Sequence, residues 1–250
     1  MSNEELYHFA DFTTEKYREF INLTKQSYVF RNYTNFDKKE KFVLWRHDVD
    51  FSVHRSFGLA KIENEEGVSA TYFMHLHSEW YNVFEKEISD LIIGIKNLGH
   101  QIGLHFDIHF YDILKEEELA EKIIFEKNIL NELLGVDIKV FSFHNTTPFT
   151  MNCKEAEYGG LINTYANYFQ SEVTYCSDSN GYWRYTRLAE LVTLAQAPRL
   201  QILTHPEWWQ ETVMSPFERI NRCAQKRAEN NITKYVQLIE RAGNKNIDWI

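Results

Sequence analysis

Short apolar runs alternate with longer amphipathic segments along most of the chain. The apolar runs cover residues 42–45, 70–74, 101–106, 139–143, 173–176 and 200–203. Runs of this length, bounded by turn-forming residues, are typical of buried strands. We therefore predict six strands, with room for a seventh, spread over the length of the chain.

The segments between these runs carry apolar residues at helical spacing. They cover residues 13–30, 52–66, 83–98, 116–134 and 187–195, and a last amphipathic segment covers residues 215–242. Ser52 is placed to cap the second helix, and Gly67, Gly99 and Gly135 follow three of them as stop signals. Alternation of strands and helices predicts a mainly parallel sheet. We expect an α/β fold with an irregular (β/α) barrel of about seven parallel strands; an open doubly wound sheet is the alternative.

The length and composition favour one domain. The chain has 250 residues, of which 44% are hydrophobic, and four scattered prolines. No Gly/Ser-rich stretch, repeat or low-complexity tract marks a linker. We expect a single domain over residues 1–250, with its motifs between about 42 and 209 and a C-terminal helix at about 215–242.

Charge and cysteine content exclude some classes of function. The net charge of −9 and a pI near 5.6 argue against nucleic acid or anionic membrane as partners, because phosphate binding needs a basic face. The first residues lack the basic start and apolar run of a secretory signal, so we expect a cytoplasmic protein. The three cysteines have wide spacing, which predicts reduced, structural thiols.

Acidic residues follow the first apolar run. In an extended strand alternate side chains share a face, so Arg46, Asp48 and Asp50 are expected to point together, away from His47. Two carboxylates beside a guanidinium fit either a structural ion pair or a metal ligand next to a general base. Isolated buried carboxylates are costly, so this strand end requires a cation, hydrogen bonds or water.

Histidines occupy several of the other strand ends. His105 and His109 are four residues apart, a spacing that brings two imidazoles to one side of a helical turn and within reach of one ion. His205 follows the last strand, where it is either a hydrogen-bonded strand terminus or a group for proton transfer. His144, Asn145 and Asp178 also follow strands and are candidates for polar contacts near the same site.

Other aromatic and histidine side chains are ambiguous. His75 and His77 lie two apart on a strand without a carboxylate at a clear partner spacing, so we expect them to be structural or to line the pocket. Trp208 and Trp209 belong either to the core or to a wall against which a sugar ring stacks.

Together these motifs resemble the polysaccharide deacetylase superfamily, the nodulation-type deacetylase homology domain of carbohydrate esterase family four. Asp48 and Asp50 resemble its first motif, and His105 and His109 its second. Asp178 with Trp183 and Arg184 is a weak fourth motif, and residues 203–205 match the Leu-x-His fifth motif. The chain departs from the pattern because Val49 separates the aspartates, Phe106 replaces Ser or Thr, and His144-Asn145 stands in place of an arginine motif.

The resemblance implies a metal-dependent hydrolase of an N-acyl bond, with a small carbohydrate or another acylated small molecule as substrate. It assigns one divalent ion, zinc with cobalt or nickel as alternatives, to Asp50, His105 and His109. It assigns Asp48 as base and His205 as acid, and leaves Arg46 or Arg184 to replace the missing arginine. The same residues also fit two alternative functions. One is hydrolysis of a non-sugar C–N amide, and the other is a carbohydrate-binding or scaffold domain that has lost catalysis.

Overall fold

The computed structural model describes residues 1–248, so the last two residues of the expected domain lie outside the described part. The strands are β1 (Val29–Arg31), β2 (Phe42–Val49), β3 (Thr71–His75), β4 (Gln101–Phe106), β5 (Val140–Phe143), β6 (Glu157–Tyr158), β7 (Leu161–Asn163), β8 (Thr174–Ser177) and β9 (Arg199–Thr204). The helices are α1 (Asn3–Leu6), α2 (Thr14–Lys25), α3 (Val53–Glu65), α4 (Lys86–Asn97), α5 (Leu119–Leu134), α6 (Pro148–Asn152), α7 (Asn167–Glu172), α8 (Leu188–Leu194) and α9 (Pro216–Arg241).

The strands form one sheet in the order β6-β7-β5-β4-β3-β2-β9-β8, and β1 pairs with the start of β2. The pairs are parallel except for β6 with β7. From β2 the neighbours follow the chain through β3, β4 and β5, and β9 closes onto the other side of β2. A doubly wound sheet reverses its strand order at a switch point, and this sheet does not. Its winding is therefore that of a barrel opened between the β6–β7 hairpin and β8. The predicted irregular (β/α) barrel is confirmed as a curled half-barrel flanked by helices.

Side chains alternate between the barrel interior and the surrounding helices. On β2, Phe42 and Leu44 belong to an inner apolar cluster with Phe73, whereas Val43 and Trp45 pack in the larger outer cluster. Gly103 of β4 faces Phe73, and a Cβ there would lie 2.6 Å from its ring. The inner face therefore has an apolar lower layer, and the same face is polar toward the carboxyl ends of the strands.

The helix signals in the sequence have the expected structural effect. The Ser52 hydroxyl accepts a hydrogen bond from the Arg55 amide at the start of α3, and Gly135 ends α5 at φ 59°, in the left-handed region that favours glycine. One prediction is too long: the opening helix, expected over residues 13–30, ends at Lys25, and residues 29–31 form β1 instead. No helix in the described part of the chain has both the length and the apolar character that crossing a bilayer requires.

Candidate active site

Four adjacent strands each bring a metal-ligand side chain to the carboxyl edge of the sheet. Asp50 follows β2, His75 ends β3, His105 lies near the end of β4, and His144 follows β5. His75 is the register partner of His105, and the interior residues Phe73 and Gly103 precede these two histidines by two positions. Since side chains two apart share a face, the register delivers these groups to one polar layer above the apolar interior.

Three ligand atoms of this layer are mutually close. Asp50 Oδ1 lies 3.1 Å from His105 Nε2 and 3.4 Å from His144 Nδ1, and the two histidine nitrogens are 3.2 Å apart. Two nitrogen or oxygen ligands about 2.0–2.1 Å from a tetrahedral zinc are separated by about 3.3 Å, so the spacing fits one shared ion. Asp50 Oδ1 is buried and has no hydrogen-bond partner within residues 1–248, despite these short distances.

The orientation of His105 favours a cation between these atoms. Its Nδ1 lies 3.3 Å from the carbonyl oxygen of Ser142, which can only accept a hydrogen bond. Nδ1 is therefore the protonated nitrogen, and in the neutral ring Nε2 turns a lone pair toward Asp50 Oδ1. Fixing a ligand tautomer through a carbonyl is the usual arrangement around protein-bound metals.

His75 lies beside this trio. One ligand atom of His75 is within 4.8 Å of ligand atoms of Asp50 and His144. Its ring centroid lies 4.3 Å from that of His144 and 5.6 Å from that of His105. Burial lowers the pKa of His75 to about 4, so its ring is uncharged at neutral pH.

Asp48 and Arg46 form a buried ion pair next to the trio. Arg46 Nη2 donates to Asp48 Oδ2 at 2.6 Å, and the hydroxyl of Ser142 donates to the same oxygen at 3.2 Å. Asp48 Oδ1 is buried and unpartnered among the described residues. Burial alone would raise the pKa of Asp48, but the guanidinium of Arg46 lowers it overall, so the carboxylate is ionised with one oxygen unoccupied.

His205 is fixed by Asp178. The backbone N–H and Nδ1 of His205 lie 3.0 and 2.7 Å from Asp178 Oδ1, and Trp209 Nε1 donates to Asp178 Oδ2 at 3.2 Å. His205 Nε2 faces the site, 3.9 Å from Asp50 Oδ2. Burial opposes the charge on His205, but the Asp178 carboxylate raises its pKa to about 10, which favours the protonated ring at neutral pH.

A cavity of about 740 Å³ opens onto this layer, and its lining includes Asp48, Asp50, His75, His105, His144 and His205. Its walls include the aromatic side chains Phe51, Trp80, Phe110, Phe143, Tyr165 and Trp208. The volume is that of a small-molecule site, and apolar walls around a few convergent polar groups are typical of such sites. Trp208 lines this cavity, whereas Trp209 is fully buried behind it.

The other sequence-predicted residues are placed less centrally. Asn145 is exposed on the cavity wall with its amide nitrogen 2.8 Å from His144 Nε2. A half-turn of the amide places Oδ1 at this position, where it would accept the N–H of a His144 ring bound through Nδ1. Arg184 is exposed at the rim. The structure does not bring His109 into the ligand group. Its Nδ1 lies 2.8 Å from Asp107 Oδ1 and its side chain is 50% exposed, because β4 ends at Phe106 and the next turn begins at His109.

Sequence reasoning missed one buried acid of the cavity. Glu207 is fully buried, and neither carboxyl oxygen has a hydrogen-bond partner in the part of the chain described. Burial raises the pKa of Glu207 well above its usual value, which favours the uncharged acid. The only signal for this residue in the sequence is its position two residues after His205.

Comparison with known proteins finds distant similarity to solved structures. No family model and no curated protein matches the chain. A family 4 carbohydrate esterase from Bacillus anthracis is similar over 85% of this chain and 86% of its own, with TM-score 0.46 and 15% identity. A peptidoglycan N-acetylglucosamine deacetylase is similar over 78% and 85%, with TM-score 0.46 and 16% identity. A family 4 pseudoenzyme from Bacillus anthracis is similar over 78% and 63%, with TM-score 0.42 and 14% identity. All three are described as family 4 carbohydrate esterases or as deacetylases or pseudoenzymes of similar kind, and each is distant from this chain in sequence.

Proposed function

We propose that this protein is a metal-dependent hydrolase that removes an N-acyl group, most simply N-acetyl, from a sugar or sugar derivative. The observation that carries the proposal is the trio Asp50 Oδ1, His105 Nε2 and His144 Nδ1, mutually 3.1–3.4 Å apart around an unpartnered buried oxygen. Asp50 and His105 keep the roles implied by the family resemblance. His144 takes the third ligand position in place of His109.

The proposed ion is divalent, and imidazole with carboxylate suits zinc, cobalt and nickel. When bound, such an ion polarises an acyl carbonyl and lowers the pKa of a water molecule beside it. Three protein ligands would leave the fourth position open for water or substrate, as in catalytic zinc sites.

Asp48 is the proposed general base. Arg46 and Ser142 hold Oδ2, so the unpartnered Oδ1 is the oxygen that would accept a proton from the attacking water. The fixed Oδ2 prevents the carboxylate from turning away, and the low pKa keeps it unprotonated at neutral pH.

His205 is the proposed general acid. The Nδ1–H of His205 donates to the Asp178 carboxylate, so the Nε2–H is directed into the cavity. Amines are poor leaving groups, so cleavage of an amide requires a proton at the departing nitrogen. An imidazole whose pKa is raised to about 10 holds that proton at neutral pH.

The aromatic walls support a sugar as the acylated substrate, since planar rings stack on the apolar faces of pyranoses. Hydrolysis of a non-sugar amide at the same site is the nearest alternative, because a fold does not determine a substrate. One observation favours the second alternative, a carbohydrate-binding or scaffold domain. His109, to which the resemblance gives a ligand role, is half exposed and bonded to Asp107.

The test begins with chain purified without added metal, in which the metal content is measured. Release of acetate is then followed over N-acetylated sugars and, in parallel, over N-acetylated amines without a sugar. Asp48→Asn serves as the matched control, since its cavity is unchanged in shape. Bound metal with acetate release from sugars supports the proposal; release only from the non-sugar amides moves it to the first alternative. Bound metal without turnover on any acylated compound favours the binding domain.

A further inference from the structure

His75 has an unexplained buried nitrogen at the edge of the ligand trio. The residue is 5% exposed, and its Nε2 has no hydrogen-bond partner within residues 1–248. A buried polar atom without a partner is uncommon in folded proteins and points to a group that the chain itself does not supply. The nearest carboxylate oxygen, Asp107 Oδ2, lies 3.8 Å from Nε2, beyond hydrogen-bond distance.

His77, two residues along the chain, provides a comparison. Its Nε2 lies 2.9 Å from Glu126 Oε1 and 3.2 Å from the Tyr111 hydroxyl, and its ring stacks on Phe110 with centroids 3.5 Å apart. The contacts of His77 within the protein thus account for its position, although it lines the same cavity. The contacts of His75 within the protein do not account for its buried Nε2.

We propose that His75 is a fourth protein ligand of the metal centre, so that the neighbouring strands β2, β3, β4 and β5 each supply one ligand. The inference rests on the proposed metal-dependent function and deepens it. Its support is the position of a His75 ligand atom within 4.8 Å of ligand atoms of Asp50 and His144, together with the unpartnered Nε2.

A fourth ligand changes which ions suit the site. Four protein ligands fill the tetrahedron that zinc prefers and leave no position for water or substrate, as in structural zinc sites. An ion that accepts five or six ligands keeps open positions with the same four side chains. The centre of three histidines and one carboxylate therefore suits a divalent first-row ion of higher coordination number, for which cobalt(II) is the probe.

Proton NMR of the cobalt(II)-loaded chain counts the histidine ligands directly. Each bound imidazole keeps an N–H on its other nitrogen, and cobalt(II) shifts that exchangeable proton far outside the normal range. We expect three such signals from His75, His105 and His144, and two in His75→Gln. His77→Gln is the matched control and should retain three. Two signals in the unmodified chain would overturn the assignment of His75.

Cobalt affinity gives an independent measurement. Even partners outside the ligand sphere contribute about 10–100-fold to metal affinity, so His75→Gln should weaken cobalt binding by at least this factor. Far-ultraviolet circular dichroism shows whether the variant is folded. Affinity equal to that of the unmodified chain in a folded variant contradicts the inference. If the unmodified chain binds none of cobalt, zinc and nickel, both the role of His75 and the proposed metal-dependent function are wrong. If it binds cobalt with only two histidine signals, the role of His75 is wrong but the proposed function still stands.

Discussion

Arg46 Nη2 lies 2.6 Å from Asp48 Oδ2, and both side chains are on the interior face of β2. The pair is almost completely buried, with side chains 0% and 4% exposed. The family resemblance implies an arginine from a separate motif beside the base, and this chain has no arginine there. Arg46 places a guanidinium beside the proposed base from the same strand, whereas Arg184 is exposed at the cavity rim.

Arg46→Met should therefore impair both stability and activity. Removal of one partner of a buried ion pair typically costs about 3–5 kcal/mol, because the other charge remains buried alone. A displaced base costs about 10²-fold in rate for a shift on the order of 1 Å. Urea unfolding and the rate of acyl release measure the two effects. Arg184→Met is the control and should keep the stability of the unmodified chain; equal stability of both variants would contradict the role of Arg46.

Asp48→Asn and Asp50→Asn should separate base from ligand. An amide fills the volume of the Asp48 carboxylate but cannot accept a proton from water, so hydrolysis should be lost while metal is retained. Asp50→Asn removes the anionic ligand and should weaken metal binding. Elemental analysis with activity assays distinguishes them. Metal lost from the Asp48 variant and kept by the Asp50 variant would exchange the two roles.

Alanine variants of three histidines test the ligand set. His105→Ala and His144→Ala each remove one atom of the compact trio, and bound metal should fall sharply in both. His109→Ala should keep its metal, since His109 is half exposed and bonded to Asp107. Metal stoichiometry after dialysis decides the matter. Loss of metal from the His109 variant, with retention in the His144 variant, would restore the ligand set implied by the family resemblance.

His205→Ala should slow amide cleavage far more than cleavage of a matched activated ester. Proton donation to a poor leaving group contributes about 10²–10⁴-fold, and an activated alcohol needs little of it. Metal content should be unchanged. Similar losses on the two substrates would make His205 a positioning residue, and no loss on either would remove it from the reaction.

Glu63 gives a test of stability away from the cavity. Its carboxylate is fully buried behind β2, 2.7 Å from His47 Nε2 and from the hydroxyl of Tyr72, and it also accepts a hydrogen bond from Tyr17. Burial alone would raise the pKa of Glu63, but His47 and the hydrogen bonds lower it below 4.5. Glu63→Gln should reduce the free energy of unfolding at neutral pH by on the order of 3 kcal/mol.

The pH dependence of this effect has a defined sign. A carboxyl group with a lowered pKa in the folded state stabilises the fold fully above its ordinary pKa of 4.5 and loses that contribution as the pH falls through the lowered value. The difference between Glu63→Gln and the unmodified chain should therefore shrink in acid. Urea unfolding over a pH series measures it, with the exposed Glu65→Gln as control. A difference that is constant down to acid pH would show that the charge of Glu63 is not what stabilises the fold.

Much of the fold could be predicted because its strands are buried on both faces. Every residue of β2 is buried, and such a strand reads as an apolar run that ends where polar groups begin. The β6–β7 hairpin and helices α6 and α7 gave no such signal, because they are two to six residues long. Short elements are determined by contacts with the rest of the molecule rather than by a local pattern.

The candidate site was partly predictable for the same reason. Strand ends in a parallel sheet converge, which is how Asp48, Asp50, His105 and His205 could be selected from sequence. The four-residue spacing of His105 and His109 suggested a helical turn, but His105 still belongs to β4. The sequence predicts only a supporting role for His144, because its approach to Asp50 depends on the register of β5 beside β4, which no local pattern shows.

The alternation of faces along β2 constrains how this protein can change. Arg46 and Asp48 lie on the interior face of the strand, and Asp48 lines the cavity. On the opposite face, Trp45 and His47 hydrogen-bond to Tyr17, and His47 also contacts Glu63. Insertion or deletion of a single residue within β2 would turn every side chain beyond it to the wrong face, and so would disrupt the cavity and the packing together. β2 can therefore change by substitution but not by a change of length. Variation in length must lie in the loops beyond the strand ends, and these loops also border the cavity.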